Sequence, residues 1–523
     1  MKTEPRDMTT NRRTLLKAGA GAAMVGSSLG ATAIVNSLAA QGDASSRIVI
    51  MTGTEAETLD PHLTGTRNTQ IITEAIHSGL VKRDVSNTIA PDLATEWSIS
   101  DDELSWTFTL RQDGMFSDGT PVHASDVKYS LDRILNPDNN SNYISQMSAV
   151  ESVEVIDDFT VTIHTSTPFS ALDEILSDPG PRILQEAAAS AGALEDYGRN
   201  PVGSGAYMLE SWTPGQSIEL VPNPHYYGEA PKNAGLSMRF ASEGGARTAA
   251  LESGQVDLIT ALPPEAIDRI DQSEDLTVLV ADSSFLIFFA IDHGSEPFSD
   301  QRVRLAANLA VDRQTIIDTI LGGLGSVANS PFGPGVLNRV DLEPFPYDPE
   351  QAKQLLADAG YADGVPIVMW TPQGRYLKDR QVAEAVQGYL SEVGFKPELQ
   401  VFEWGTYVTE RQTDPPIADL WLIGASIPGA YWNLVNNYHT DSDYPNSYSN
   451  PEVDDLISQA SQTFDLDEQS AIYAQIQEIV FEQDIVHLFL HGQKQVLGYK
   501  TGLTGIEPLP YEIFYPETIT FEE

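Results

Sequence analysis

The chain has 523 residues, 41% of them hydrophobic and 20% charged, and carries a formal net charge of −45. Its apolar content excludes a disordered chain. The absence of cysteine excludes disulfides, thiolate metal sites, a cysteine nucleophile and a lipid-modified cysteine. The acidity argues against a general nucleic-acid or anionic-membrane binder.

The N-terminus reads as an address. Asn11-Arg12-Arg13-Thr14-Leu15-Leu16-Lys17 places two arginines before an uncharged run from Ala18 to Gly42, rich in Ala and Gly. Such small residues make a poor permanent membrane anchor, and Ser37, Ala39, Ala40 and Ala44 offer cleavage sites. The pattern resembles a twin-arginine secretion signal over residues 1–44. Cleavage near Ala44 removes five basic and three acidic residues, so the mature chain is more acidic still. Export of a soluble protein to the periplasm is expected. The acidity itself fits a solvated surface suited to a salty habitat, since charge beyond about 8 Å is largely screened at physiological salt.

After the signal, Arg47 to Met51 is strand-like and Ile71, Ile72, Ala75 and Ile76 recur at helical spacing. Trp106, Phe108 and Leu110 alternate with Thr107, Thr109 and Arg111, which predicts a half-buried strand with Trp106 and Phe108 in the core. Asp118-Gly119 makes a turn, and Ser125 is placed to cap a helix carrying Val127, Leu131, Ile134 and Leu135. Val153–Ile156 and Val161–His164 form a strand pair turned at Asp157-Asp158. Asn200–Gly205 is too rich in breakers for regular structure, and two strands follow around Pro214-Gly215.

Further on, strands and helices alternate. Asp348-Pro349 starts a helix that Gly360 ends, Pro366–Trp370 is a strand, and Val382 to Val393 forms a helix closed by Gly394. Leu399–Phe402 is a strand, and Asn450-Pro451 starts a helix. A last long helix carries Ile472, Ile476, Ile479 and Val480. The alternation predicts an α/β class with mixed sheets flanked by helices.

No catalytic constellation emerges. Gly26-Ser27-Ser28-Leu29-Gly30 has the spacing of a nucleophile elbow but lies inside the signal. Gly322-Gly323-Leu324-Gly325 lacks the phosphate-loop lysine. The nine histidines are scattered, and His487 with His491 sit in an apolar strand-like stretch that favours a structural role. No enzyme, cofactor or metal is expected.

Several blocks resemble the family-5 extracellular solute-binding proteins of peptide and nickel ABC importers. They are Thr58-Leu59-Asp60-Pro61, Ser105 to Arg111, Phe116 to Val122, Ser125-Asp126-Val127, Pro201 to Tyr207 and Asn223 to Gly228. Arg302 to Ala306, Val311-Asp312-Arg313, Tyr347 to Lys353 and Asn450 to Asp454 complete the series. These blocks span almost the whole mature chain in the family's order. The resemblance implies a two-lobed periplasmic binding protein fold with an extra inserted domain. Main lobe I would comprise residues 45–89, 204–290 and 492–523, the inserted small domain 90–203, and lobe II 291–491. It further implies a monomer that closes on a solute and delivers it to an ABC permease and its ATPase.

Carried onto this sequence, the family's pocket implies Thr58 and Leu59, Tyr143, Trp404, the loop residues Gly424, Ala425 and Ser426, and Trp432 as solute contacts. The family's peptide binders carry an aspartate in that loop for the peptide α-ammonium. Here the loop reads Gly424-Ala425-Ser426-Ile427-Pro428-Gly429-Ala430-Tyr431-Trp432, with no acid. The resemblance makes a peptide or peptide-like solute the first expectation, and the missing acid with the neighbouring aromatics motivates the alternative. An oligosaccharide or opine-type compound is the alternative, and a nickel or metal-chelate ligand is a weaker one. Arg375 and Arg411 could pair a solute carboxylate, but surface placement is expected for both.

Overall fold

A computed structural model describes residues 46–411, 418–427, 429–442 and 446–522; the signal-like segment lies outside them. Three larger sheets carry the architecture. The first has seven strands, in the order Leu276–Ala281, Gln495–Lys500, Leu258–Thr260, Ile48–Thr52, Leu236–Phe240, Ser217–Pro222 and Tyr207–Thr213. Ile48–Thr52 pairs in parallel with the strands on both sides of it, whereas the outer pairs are antiparallel. The second has six strands, in the order Gly325–Val327, His487–Gln493, Leu286–Ile291, Leu420–Ala425, Val365–Gln373 and Phe395–Glu403. The third is an antiparallel four-stranded sheet built from Ala94–Ile99, Ser105–Leu110, Thr160–Thr165 and Val150–Asp157.

Local chemistry explains the element ends. Asp348 accepts a hydrogen bond from the Gln351 N–H at the start of the helix Pro349–Asp358, and Asn450 accepts one from Glu452 at the helix Pro451–Ser461. The helix expected after Ser125 instead begins at Ala124. His123 is its N-cap, and the Asp126 carboxylate accepts from the His123 N–H at 3.0 Å. The acid three residues in, rather than the serine, sets that boundary.

The chain crosses between the seven- and six-stranded sheets at residues 282–285 and again at Lys494. The two crossings are tied together. Ser283 Oγ donates to the Gln493 carbonyl at 2.5 Å, and Lys494 pairs with Asp282 at 2.8 Å. These two adjacent crossings connect the seven- and six-stranded sheets. The mixed α/β architecture in two lobes is the one the sequence led us to expect.

The four-stranded sheet shares one apolar core with the helices Ala430–Tyr438, Pro451–Ser461 and Leu466–Glu478. Phe169 packs edge-on to Tyr431 at 5.2 Å, and Trp106 lies 6.5 Å from Phe464. Trp106 and Phe108 are buried, as their alternation requires. A buried ion pair ties the same sheet's surroundings to the helix Arg67–Ile76. Arg182, in the segment after the sheet, pairs with Glu74 at 2.5 Å with both side chains almost wholly buried.

His487 and His491 lie in the strand His487–Gln493, and both are buried. Burial holds His491 far below the ordinary histidine range, at about 3. Its unfolded-state value is near 6.5, so the stability gained by keeping it neutral is complete above that pH and is lost as pH falls toward 3. Replacing His491 by leucine removes this penalty. Between pH 7 and 4.5 the urea-unfolding free energy should move by about 2–3 kcal/mol in the variant's favour relative to the parent. A pH-independent difference would contradict the assignment.

Thirty cationic side chains cannot neutralise 75 carboxylates, so the fold carries net self-repulsion. Raising salt from about 0.1 M to about 1 M shortens the Debye length from roughly 10 Å to roughly 3 Å. The melting temperature should rise by several degrees over that range in scanning calorimetry; an unchanged or falling value would rule out surface repulsion as a significant cost.

Candidate solute-binding cleft

A cavity of about 170 Å³ opens where the two lobes meet. From the first lobe come Thr66 and Arg67, at the start of the helix Arg67–Ile76. Asn142 and Tyr143 come from the segment between the helix Ala124–Leu135 and the strand Val150–Asp157. The far wall carries Arg375 and Tyr376 after the strand Val365–Gln373, then Trp404 and Arg411 on the helix Trp404–Arg411. The end of the strand Leu420–Ala425 adds Gly424, Ala425 and Ser426, and Trp432 comes from the helix that follows.

The structure thus brings Tyr143, Trp404, Gly424, Ala425, Ser426 and Trp432 to one cavity. Thr58 and Leu59 lie outside it. Thr58 Oγ1 accepts from the Asp60 N–H at 3.1 Å, and Leu59 is fully buried in the core beneath the seven-stranded sheet. Glu57, one residue earlier, makes the inter-lobe contact: its carboxylate accepts from the Trp404 indole N–H at 3.0 Å and from the Thr66 and Thr69 hydroxyls at 2.7 Å.

Arg67 closes the cleft more directly. Its Nε and Nη2 both donate to the Ser426 carbonyl, at 3.0 and 2.6 Å, and its Nη1 reaches Gln70 at 2.6 Å and Asp178 at 3.4 Å. The motif comparison missed this residue. A signal was present: a cation in the first turn of a helix opposes the helix dipole, which points to a partner elsewhere.

Both arginines expected at the surface belong to the cavity instead. Arg375 is only 7% exposed. Its guanidinium lies 5.2, 4.8 and 5.7 Å from the rings of Phe285, Tyr376 and Trp404. Three aromatic faces desolvate the charge while offering it favourable quadrupoles, which a one-dimensional reading cannot anticipate. Glu512 approaches Arg375 at 3.5 Å. Burial raises the Glu512 carboxyl above its usual range, against the lowering effect of Arg375.

Tyr143 is buried, with its hydroxyl donating to the Thr64 carbonyl at 2.9 Å and accepting from Gln70 at 2.9 Å. Its ring lies 5.6 Å from that of Trp432. Glu174 reaches across beneath the same loop, within 3.4 Å of the Trp432 N–H, and burial pushes its carboxyl up to about 7.

The model of the bacterial extracellular solute-binding proteins of family 5 matches residues 88–445. The chain belongs to that family. The glutathione-binding protein GsiB of Salmonella typhi is 28% identical over 498 residues, covering 92% of this chain and 96% of the relative. The structure of AgaA from A. tumefacien R10, in complex with agropinic acid, matches with a TM-score of 0.84 and 28% identity, covering 91% of this chain and 99% of that one. DppA from Helicobacter pylori, in complex with the peptide STSA, shares the fold at a TM-score of 0.84 and 22% identity, covering 92% of this chain and 98% of its own. Members of family 5 are non-enzymatic substrate-binding proteins of ABC transporters that act in the periplasm or outside the cell. Among the described residues no group of His, Asp and Glu is arranged to hold a metal ion. No described helix is long and apolar enough to cross a membrane.

Proposed function

We propose that this family-5 protein captures a peptide or peptide-like solute by hinge closure and hands it to a membrane permease. The observation that carries the reading is a cavity walled by both lobes, with the Arg67–Ser426 and Glu57–Trp404 bonds spanning it. Contacts that exist only when the lobes meet stabilise the closed form, and a solute touching both walls adds to them. Moving the equilibrium from 1:99 to 99:1 takes ~5.5 kcal/mol of preference for the closed state.

In this reading residues 1–44 direct export through the twin-arginine route, and the protein works as a periplasmic monomer beside its permease and ATPase. Residues 45–89, 204–290 and 492–523 form the main lobe, 90–203 its inserted domain and 291–491 the second lobe. Tyr143, Trp404, Gly424, Ala425, Ser426 and Trp432 touch the solute. The relatives that bind glutathione and agropinic acid support a small peptide-like or opine-type cargo.

The test is mass spectrometry of solute retained through purification, followed by a thermal-shift titration with that compound. A solute at ~100 times its Kd should add ~2.7 kcal/mol of stability. If neither the retained compound nor any peptide, opine or oligosaccharide stabilises the protein, capture is wrong. Stabilisation by sugars alone would replace the peptide reading with the oligosaccharide one.

A further inference from the structure

We propose that Arg67 decides which solutes the cleft admits: its guanidinium fills a cation site between the two walls, so the protein selects peptide-like solutes whose amino end is uncharged. The inference rests on the cleft being the solute site and specifies one end of that solute.

Three oxygens converge on Arg67. The Ser426 carbonyl accepts from Nε at 3.0 Å and Nη2 at 2.6 Å, while Gln70 Oε1 and Asp178 Oδ2 accept from Nη1 at 2.6 and 3.4 Å. The two side chains are held as acceptors. The Gln70 amide nitrogen donates to the Tyr143 hydroxyl at 2.9 Å, which turns its oxygen toward Arg67. Asp178 Oδ1 accepts from the Gly180 N–H at 3.2 Å, leaving Oδ2 to Arg67. The rings of Trp432 and Tyr511 stand 5.7 and 5.5 Å from the guanidinium. One carboxylate, two neutral oxygens and two aromatic faces are what a cation needs when it leaves water. Arg67 and Asp178 are both almost wholly buried.

This site belongs to the cavity wall, since Arg67, Ser426 and Trp432 all line it. A solute ammonium arriving there finds the acceptors taken and a fixed positive charge in their place. Among the described residues lining the cavity none carries a carboxylate, and Gly424 to Trp432 holds no acid. A buried ammonium is left without a counter-charge, whereas an acylated nitrogen carries no charge to compensate. Truncating Arg67 removes the resident cation and leaves its three acceptors unpaired. Burial raises the Asp178 carboxyl, and Arg67, Arg182 and Arg83 oppose the rise, so two cations still favour its ionised form in the truncated protein.

Isothermal titration of the mature protein with Ala-Ala and N-acetyl-Ala-Ala tests this. The parent should bind the acetylated form more tightly by about 30-fold or more, the lower end for a buried charge left unpaired. Arg67→Ala should move that ratio toward the free amine by a similar factor, and Arg67→Lys by less. Ethylguanidinium, which reproduces the missing group, should raise the melting temperature of Arg67→Ala and leave the parent's unchanged. A role confined to closing the cleft would weaken both dipeptides equally. An unmoved ratio, or a parent that prefers the free amine, overturns the inference and leaves capture standing. If Arg67→Ala does not fold, Arg67→Gln carries the same comparison. If neither dipeptide binds, ethylguanidinium decides: no stabilisation of the variant overturns the inference. Failure of the retained solute to stabilise the parent would instead mean that capture itself is wrong, whatever the ratio.

Discussion

Replacing Gly53 by valine is expected to weaken solute affinity by about 100-fold while each lobe stays folded. Gly53 follows the strand Ile48–Thr52, and Gly374 follows the strand Val365–Gln373 of the other sheet. A Cβ on Gly53 would stand 2.1 Å from the Gly374 carbonyl oxygen, whereas its nearest neighbour on its own side is the Arg247 guanidinium at 3.4 Å. The clash therefore exists only when the lobes are together. Gly374 cannot yield easily, because it has φ +84° and its own Cβ position is 2.6 Å from the Ser242 carbonyl oxygen. Backbone against backbone must part by about 1 Å or more for ordinary contact. The Arg67–Ser426 and Glu57–Trp404 bonds would stretch, and hydrogen bonds to charged groups contribute about 1.5–3 kcal/mol each. A loss near 3 kcal/mol corresponds to about two orders of magnitude in Kd. Titration of the variant with the retained solute measures this directly. Parental affinity would show that the lobes do not need to meet at Gly53.

The second large effect concerns the fold. Asp60→Ala should destabilise the protein by about 3–5 kcal/mol, because it strands a buried guanidinium. Asp60 is wholly buried and Arg133 nearly so, at 0% and 4% side-chain exposure. Arg133 Nη1 donates to Asp60 Oδ1 at 3.3 Å and to His62 Nδ1 at 2.7 Å, and His62 Nε2 meets the Arg182 carbonyl at 2.9 Å. Burial first, then the neighbouring Arg133, keeps His62 well below the usual histidine range, so the ring is neutral and donates from Nε2. Burial alone would raise the Asp60 carboxyl; Arg133 and the His62 N–H oppose it. The double variant Asp60→Ala/Arg133→Met should lose less than the single one in chemical denaturation. A single-variant loss below about 1 kcal/mol would mean that the guanidinium finds another partner.

This triad shows what the sequence hides. Thr58 and Leu59 were expected to touch the solute, yet the next residue, Asp60, caps the short helical turn Pro61–Leu63 and anchors Arg133 on the helix Ala124–Leu135. A motif marks a position in a fold without saying whether its side chains face solute or core. The helix from Pro349 and the strands around Trp106 were legible because capping chemistry and alternation act over a few residues. The contacts that close the cleft were not. Arg67 and Ser426 are 359 residues apart, and no local pattern encodes such a meeting. Arg375 was expected at the surface because arginines usually are; its aromatic cage draws on Phe285, Tyr376 and Trp404, which only the fold brings together.

Small-angle X-ray scattering on the mature protein, stripped of solute and then saturated with the compound it retains, bears most directly on capture between moving lobes. The account requires the stripped protein to have a larger radius of gyration, to contract on saturation, and to lose that contraction in the Gly53→Val variant. Identical profiles for the stripped and saturated parent would contradict it.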